Sequence, residues 1–166
     1  MAVRDILKGK TNPRLRKKSK PVSEINDRIV QLVGDMKDTL KKEEGVGLAA
    51  PQVGVLRRII IVDNGDGPFE IINPELSNKE GSSIEKEGCL SLLPISGYVE
   101  RPKKLKVKGL KLNGDKINID AEDLLARIIC HEADHLEGIL FSDKIIPEED
   151  LEPMDDEKAE SKVEEL

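Results

Sequence analysis

The stretch DAEDLLARIICHEADHLEG, residues 120–138, predicts a helix that runs into the core. Its apolar residues recur at helical spacing: Leu124, Leu125, Ile128 and Ile129. Asp120 can cap the N-terminus of this helix, and Gly138 can end it. His131 and His135 extend the apolar face, so we expect both imidazoles to point into the protein rather than toward solvent.

The two histidines of the chain lie four residues apart, with a glutamate directly after the first. Four residues of α-helix place two side chains about 40° apart around the axis and about 6 Å apart along it, so His131 and His135 can reach one metal ion. Glu132 then projects beside the ion, where it can exchange a proton with bound water. The alternative is a helix whose imidazoles are satisfied by hydrogen bonds, but the spacing of the only histidines in the chain favours a metal site.

A tetrahedral ion with two imidazole ligands needs one more ligand from the protein if water is to keep the fourth position. The chain has no third histidine, and Glu148 and Glu149 follow Pro147 in a charged segment. Cys89, in the stretch EGCLS, is the better candidate because a thiolate binds such ions strongly. Taken alone, this cysteine would be interpreted as a small buried apolar residue, and only the histidine pair favours the metal role. A Cys/His/His site is expected to polarise a substrate less strongly than a site with three histidines, which suits an unhindered carbonyl and an ion that accepts a fifth ligand, such as ferrous iron.

A third stretch, GVGLAAPQVG at residues 45–54, is rich in small residues and contains one amide side chain. Glycine and alanine let a backbone approach a ligand closely, and Gln52 can donate a hydrogen bond to an oxyanion that develops during a reaction. A tight connector with a buried, satisfied amide is the alternative interpretation. The stretch therefore gains its functional meaning from the two motifs that follow it.

The remaining sequence predicts one α+β domain over residues 1–166, with antiparallel β-sheets around the central helix that carries both histidines. A first helix, capped by Ser23 and stopped by Gly45, has apolar residues at helical spacing: Ile25, Ile29, Leu32, Val33, Met36 and Leu40. From residue 45 to about 118, turn signals separate short β-type runs: RRIIIVD, FEII, EGCLSLL and KLKVKGLKL. Pro147 opens a last helix or a disordered acidic tail over residues 147–166.

Charge and composition exclude several classes of protein. A formal net charge of −6 gives no overall basic field for nucleic acid, although residues 8–20 are strongly basic and residues 148–166 strongly acidic. No stretch approaches the roughly 18 apolar residues of a membrane span, and the first residues lack the apolar core of a signal peptide. We therefore expect a soluble cytoplasmic protein without nucleic-acid or membrane partners. In that compartment Cys89 and Cys130 are expected to be free thiols or metal ligands rather than a disulfide.

The stretches GVGLAAPQ, EGCLS and HEADH, in this order and at this spacing, resemble the three signature motifs of bacterial peptide deformylases. Residues 6–22 and 135–145 also look like that family, so the resemblance covers most of the chain. It implies a hydrolase that removes the N-formyl group from the initiator methionine of nascent polypeptides and releases formate. It also implies that Cys89, His131 and His135 hold one divalent metal ion, usually Fe²⁺ in the cell, with Zn²⁺, Ni²⁺ or Co²⁺ as substitutes in purified protein.

The resemblance also assigns roles to residues around the ion. Glu132 would transfer the proton when metal-bound hydroxide attacks the formyl carbon. Gln52 and the backbone amide of Leu90 would stabilise the tetrahedral oxyanion. The segment around Val46 and Gly47 would pair with the backbone of the substrate.

Two further sets of residues would support this site. In the family the glutamate of EGCLS, here Glu87, forms an ion pair with a downstream arginine that matches Arg101, and this pair would orient the loop that carries the thiolate. Leu124 and Ile128, with Val46 near the rim, are candidates for the pocket that holds the methionine side chain. Ordinary core packing is the alternative for these apolar residues.

The chain departs from the family pattern in three places. Cys130 precedes the first histidine, where glutamine is common, and Leu92 and Leu93 precede Pro94, where many members have the proline one residue earlier. The tail is acidic, whereas some members use a basic C-terminal helix at the ribosome, so we expect no ribosome contact through the tail. The rival hypotheses are an HExxH metallopeptidase that cuts internal bonds, and a protein that binds formylated peptide ends or a structural metal without turnover.

Overall fold

The computed structural model describes residues 2–151, which contain two α-helices and seven β-strands. The α-helices are α1, Asp27–Lys42, and α2, Asp123–Leu136. The strands are β1, Gly47–Ala49; β2, Ile59–Val62; β3, Phe69–Glu80; β4, Ser83–Gly88; β5, Ser96–Arg101; β6, Lys104–Leu110; and β7, Lys116–Glu122. Short 3₁₀ helices lie at Pro13–Arg16, Ala50–Val53, Phe141–Lys144 and Glu148–Asp150. The acidic C-terminal helix or tail predicted for residues 147–166 lies outside the described residues from 152 onward.

Five of the described strands form an antiparallel sheet with the order β1-β2-β3-β6-β7, and β4 pairs with β5 in a separate two-stranded sheet. The predicted α+β class with antiparallel sheets is confirmed. Strand β2 is buried on both faces: Ile59 and Ile61 pack in one core cluster with α1, whereas Ile60 and Val62 pack in another with α2. The larger sheet therefore lies between the two helices, which explains why the run IIIV lacks the alternation of a half-exposed strand.

Helix α1 begins at Asp27, because the side chain of Asn26 accepts a hydrogen bond from the backbone N–H of Ile29 at 3.1 Å. The predicted cap at Ser23 is therefore wrong: an asparagine closer to the helix supplies the capping oxygen. The helix ends shortly before Gly45. Its predicted apolar stripe is buried over the helical residues Ile29, Leu32, Val33, Met36 and Leu40.

Helix α2 begins later than predicted. Strand β7 continues to Glu122, and Asp120 pairs with Lys106 in the β6–β7 ladder, so Asp120 does not cap the helix. The ladder supplies the backbone of this segment with hydrogen bonds, and the chain enters the helix at Asp123 with a positive φ of 51°. The helix ends before Gly138, whose φ of 75° fits the predicted glycine stop.

The stretch EGCLSLL only starts as a strand. β4 ends at Gly88, and the chain then turns, with hydrogen bonds from Leu92 N–H to the Cys89 carbonyl at 2.9 Å and from Ile95 N–H to the Leu92 carbonyl at 2.8 Å. The predicted β-run is therefore wrong beyond its second residue, because these turn bonds and Pro94, which has no N–H, replace the ladder. As a result, Cys89 follows the end of β4 instead of lying within a sheet.

Neither helix within residues 2–151 has the length and apolar character that crossing a membrane requires. Cys89 and Cys130 are both buried free thiols, one after β4 and the other on α2.

Asp35 joins the N-terminal segment to α1 through a carboxylate on a residue that is 4% exposed. It accepts hydrogen bonds from the backbone N–H of Ala2 at 2.8 Å and from Gln31 at 2.8 Å, and it forms an ion pair with Arg4 at 2.9 Å. Burial alone would raise the pKa of Asp35, but these donors and the charge of Arg4 lower it below its ordinary value. The ionised form of Asp35 therefore stabilises the fold.

We expect Asp35→Asn to lower the free energy of unfolding at neutral pH by about 1–3 kcal/mol, because an amide accepts these bonds poorly. Since the pKa of Asp35 is lower in the folded state, this contribution is complete above the ordinary carboxyl pKa and disappears as the pH falls through the folded-state pKa. Urea unfolding of both proteins from neutral pH to about pH 3 measures it, and the difference should shrink toward the acid end. Asp66→Asn, at an exposed loop position, should change stability by no more than about 0.5 kcal/mol. A difference that does not vary with pH would contradict the role of the charge.

Candidate metal centre

Three side chains from two separate segments converge at one buried point. The ligand atoms of Cys89, His131 and His135 all lie within 4.8 Å of one another, and all three residues are buried. The Cys89 Sγ lies 3.5 Å from His135 Nε2, and the centroids of the two imidazole rings are 5.3 Å apart. The structure thus places the sulfur that follows β4 beside the two imidazoles of α2.

This donor set suits a divalent transition-metal ion. A thiolate and two imidazoles supply three ligands of a tetrahedral ion and leave the fourth position for water or substrate. His131 Nδ1 lies 2.9 Å from Glu87 Oε1, a contact that orients the ring and leaves Nε2 for an ion. Burial, together with the charges of His131 and Arg101, lowers the pKa of His135 well below its ordinary value and favours the neutral ring that binds metals. Burial opposes protonation of His131 too, but Glu132, Cys89 and Glu87 raise its pKa well above the ordinary value, so binding of an ion must displace a proton from this ring. The residues present therefore fit such an ion.

Glu87 is 1% exposed and connects a polar network behind the candidate ligands. Its carboxylate accepts two hydrogen bonds from Arg101, at 2.9 and 3.0 Å, and one from Arg127 at 2.5 Å, besides its contact with His131. Burial alone would raise the pKa of Glu87, but the hydrogen bonds and charges of His131 and Arg101 lower it to about 2. The carboxylate therefore stays ionised and keeps the His131 ring in one orientation.

Arg127 takes part in this network although sequence reasoning did not single it out. It is 1% exposed on α2, four residues before His131. A sequence signal did exist, because a charged residue on the apolar face of a helix, one turn from a candidate ligand, requires a buried partner of opposite charge. The position of that partner, Glu87 on β4, is a property of the fold.

Glu132 is 4% exposed, and its Oε1 has no hydrogen-bond partner among the described residues. Burial raises the pKa of Glu132 to about 7, with His131 opposing the rise and Glu87 adding to it. Gly47 lets β1 pass close to this side chain, since a Cβ at that position would lie 2.5 Å from Glu132 Oε2. A carboxyl group that titrates near neutral pH and has a free oxygen is suited to accept and return a proton.

Gln52 presents its amide nitrogen to the sulfur. Its Oε1 accepts a hydrogen bond from the backbone N–H of Ala49 at 2.9 Å, which orients the side chain. Its Nε2 donates to Ser91 Oγ at 3.0 Å and lies 3.6 Å from Cys89 Sγ. The amide is therefore held as a donor that faces the candidate site. Ser91 was not predicted from the sequence, because its role depends on a contact with a residue 39 positions away.

A cavity of about 200 Å³ opens beside the candidate ligands. Its lining includes Val46, Gly47, Gln52, Leu90, Ile128 and Glu132. Leu124 is outside this lining and packs against the core cluster between α2 and the five-stranded sheet. Of the two α2 residues predicted for the methionine pocket, Ile128 therefore borders the cavity and Leu124 does not.

Comparisons with known proteins show the family of this chain. A model of the polypeptide deformylase family matches residues 3–150. The chain belongs to this family. The peptide deformylase of Caldanaerobacter subterraneus subsp. tengcongensis is 53% identical over 146 residues, which cover 88% of this chain and 91% of the relative. The peptide deformylase of Alkaliphilus metalliredigens is 51% identical over 148 residues, which cover 89% of this chain and 100% of the relative.

Solved structures of peptide deformylases have the same fold. The crystal structure of the Thermotoga maritima peptide deformylase gives a TM-score of 0.84 at 38% identity and covers 87% of this chain and 99% of that chain. The Ehrlichia chaffeensis peptide deformylase in complex with actinonin gives a TM-score of 0.84 at 35% identity and covers 88% of this chain and 90% of that chain. Sequence and fold therefore agree on the deformylase family.

The three departures from the deformylase pattern lie in different surroundings. Cys130 is buried on α2, and burial raises the pKa of its thiol although the charge of Arg101 opposes the rise, so it is a protonated core side chain. Leu93 borders the cavity and is 65% exposed, more than any other large hydrophobic residue in the described part of the chain. The acidic tail lies outside the described residues from position 152 onward.

Proposed function

We propose that this chain is a peptide deformylase that removes the formyl group from the N-terminal methionine of nascent polypeptides and releases formate. The observation that carries the proposal is the convergence of Cys89, His131 and His135 beside Glu132, whose Oε1 has no partner among residues 2–151. Membership of the deformylase family over residues 3–150 supports it. We place the protein in the cytoplasm, where nascent polypeptides are made. We also propose that residues 1–166 form one catalytic domain.

Cys89, His131 and His135 are proposed to hold one divalent metal ion, Fe²⁺ in the cell, with Zn²⁺, Ni²⁺ or Co²⁺ as substitutes. A bound ion would supply a Lewis acid that polarises the formyl carbonyl and lowers the pKa of a water molecule. The thiolate donates more charge than an imidazole, which weakens this polarisation. A formyl group suits such a site, because its carbon carries only hydrogen beside the amide and is open to attack.

Glu132 moves the proton in the proposed reaction. Its carboxylate accepts a proton from the attacking water, whose oxygen adds to the formyl carbon. Protonated Glu132 then donates this proton to the amide nitrogen as the carbon–nitrogen bond breaks, so that formic acid and a free N-terminal amine leave. The acid then loses its remaining proton to the solvent and becomes formate. A pKa of about 7 suits both steps, because neither the acid nor the base form is then strongly disfavoured.

Gln52 and the backbone N–H of Leu90 are proposed to stabilise the negative charge that develops on the formyl oxygen. The hydrogen bond that Gln52 Oε1 accepts from the Ala49 N–H and the one that Nε2 donates to Ser91 Oγ already hold the amide toward the site. The second N–H of this amide faces Cys89 Sγ at 3.6 Å, so only a small movement from the sulfur to the oxyanion is needed when the charge appears.

The edge of the larger sheet is proposed to bind the substrate backbone. Gly47 begins β1, which is the edge strand of this sheet, and Val46 directly precedes it. An extended peptide can add to such an edge through backbone hydrogen bonds. Val46 and Ile128 line the cavity that would receive the methionine side chain. Leu93, which is exposed at the same cavity, offers an apolar contact for the substrate residues that follow the methionine.

The proposed partners are the formylated N-termini of nascent polypeptides. The acidic residues 148–166 would repel the phosphates of ribosomal RNA, so we propose no docking on the ribosome through the tail. The net charge of −6 likewise argues against a direct nucleic-acid partner.

Gln52→Glu is expected to lower kcat by about 10²-fold to 10³-fold, with a smaller change in KM. Glutamate keeps an oxygen that can accept the Ala49 N–H and has nearly the same volume, but it has no N–H to donate. Initial rates of formate release over a range of peptide concentrations measure both constants. Ser91→Ala is the matched comparison, because it removes the acceptor that holds Nε2 but keeps the donor, and it should cost no more than about tenfold. An unchanged kcat for Gln52→Glu would remove Gln52 from the oxyanion site.

Formate release from formyl-Met-Ala-Ser by the metal-loaded protein tests the proposed function. We expect formate and free Met-Ala-Ser in equal amounts, no reaction of the unformylated peptide, and no reaction with metal-stripped protein. Fragments produced by cleavage of internal bonds would show a metallopeptidase instead. Binding of the formylated peptide without formate would show a non-catalytic peptide-binding protein. Either of these two results overturns the proposal.

A further inference from the structure

Strand β4 precedes Cys89 and strand β5 follows it, and the two strands pair as a hairpin. Among the described residues, this hairpin shares no apolar cluster with α2. The cluster that contains Cys89 and Val99 includes no residue of α2. The apolar residues of α2 pack in a different cluster, against the five-stranded sheet. Phe141 belongs to the cluster of Cys89 and Val99 and stacks on His131 at 5.9 Å between ring centroids, but it lies on neither the hairpin nor α2. Within the described residues, apolar packing therefore links the hairpin to the helix only indirectly, through Phe141, and polar contacts make the direct link.

Arg127 reaches across this joint from the helix. Its guanidinium donates to the Glu87 carboxylate at 2.5 Å, to the backbone oxygen of Val99 at 3.0 Å and to the backbone oxygen of Ser83 at 2.8 Å. Ser83 begins β4, Glu87 lies near its end, and Val99 lies on β5. One planar group on α2 therefore contacts both strands of the hairpin and spans most of the length of β4.

A guanidinium is suited to such a joint. It is rigid and planar with donors at fixed angles, whereas a lysine ammonium is a single point charge on a flexible stem. Burying the charge of an arginine that is 1% exposed destabilises the fold unless its N–H donors have partners. The hydrogen bonds of Arg127 therefore favour the one placement of helix and hairpin in which these partners are within reach. Arg101 makes the reciprocal link, since it lies on the hairpin and reaches Asp134 of α2 at 2.6 Å.

We propose that Arg127 is a positioning residue that fixes the hairpin against α2 and so preorganises the sulfur and the two imidazoles for one metal ion. The inference rests on the metal site of the proposed function but not on its reaction. None of the described hydrogen bonds of Arg127 is to Cys89, His131 or His135. Its effect is therefore expected in how firmly the ion is held.

The test compares Arg127→Lys and Arg127→Gln with the unaltered protein, each loaded with Co²⁺. An excess of chelator is added, and the loss of the visible absorption of bound Co²⁺ measures the rate at which the ion is released. This rate should be about 10-fold to 100-fold higher in both variants than in the unaltered protein. Lysine keeps a positive charge beside Glu87 but cannot hold Ser83 and Val99 together, so it should not restore slow release. The sulfur-to-cobalt absorption band should weaken in both variants, a change that a lower stability alone does not produce.

Val33→Ala is the matched control. Val33 is fully buried on α1, in the core cluster that lies on the other face of the sheet. Its truncation should destabilise the metal-free protein, as thermal unfolding will show, and leave Co²⁺ release and spectrum unchanged. Faster release in this control to the same degree would overturn the proposal, because general destabilisation would then explain the effect.

Slow release from Arg127→Lys, equal to that of the unaltered protein, would also overturn the proposal, since positive charge alone would then be sufficient. If Arg127→Gln does not fold, Arg127→Lys decides the question. The result is separate from the proposed function. If the rate of Co²⁺ release depends on Arg127 but the unaltered protein releases no formate, this inference stands and the deformylase activity is refuted.

Discussion

A Glu132→Gln variant is expected to keep its metal ion and to lose about 10³-fold in kcat, within the range found when a general acid–base group is removed. The amide has nearly the volume of the carboxyl group, so it still fits beside Gly47, where a Cβ would lie 2.5 Å from Oε2. It cannot accept a proton from water, whereas the carboxyl group, with a pKa of about 7, can accept one and return it. Formate release at saturating formyl-Met-Ala-Ser, with metal analysis of the same sample, measures both effects.

Glu137→Gln is the control for this substitution. Glu137 directly follows α2 and forms an exposed ion pair with Arg58 at 2.9 Å, so its conversion to the amide should leave kcat and metal content unchanged. A Glu132→Gln variant with full kcat would remove Glu132 from the chemistry. A Glu132→Gln variant without metal would instead make the Glu132 carboxylate a ligand.

Cys89→Ala should lose the metal ion and, with it, all turnover. The group of candidate ligands found within residues 2–151 consists of this thiol and two imidazoles, so the substitution leaves a divalent ion with two protein ligands. After dialysis against a chelator that leaves one ion per chain in the unaltered protein, the variant should contain almost none. Metal analysis by mass spectrometry measures this directly.

Cys130→Ala is the matched control, because it removes the other buried thiol of the chain, on α2 next to His131. That variant should keep its ion, since Cys130 is not part of the ligand group. If Cys89→Ala retained a full complement of metal after the same dialysis, another residue would be the third ligand.

The helices and most strands could be predicted because their patterns are local, whereas their ends could not. Ser23 and Asn26 both offer a capping oxygen within one turn, and the hydrogen bond from Asn26 to Ile29 decides between them. Asp120 is a residue type that often caps helices, but in the structure it pairs with Lys106 in the β6–β7 ladder. Competition between a cap and a ladder depends on the partner strand, which a local window of sequence does not contain.

The candidate ligands could be named from the sequence because residue type and spacing carry their chemistry, but their supporting contacts could not. Arg127 and Ser91 act through residues 40 and 39 positions away, and only the folded chain brings these pairs together. Leu124 shows a different limit. It shares the apolar face of α2 with Ile128, but it lies four residues earlier, about 6 Å along the axis, where that face meets the core and not the cavity.

X-ray absorption by the protein loaded with Zn²⁺ reports which atoms bind the ion and so decides whether Cys89 and the two histidines form the metal site. We expect one sulfur at about 2.3 Å and two imidazole nitrogens at about 2.0–2.1 Å, with the sulfur lost in Cys89→Ala. A shell of nitrogen and oxygen without sulfur in the unaltered protein would contradict this assignment.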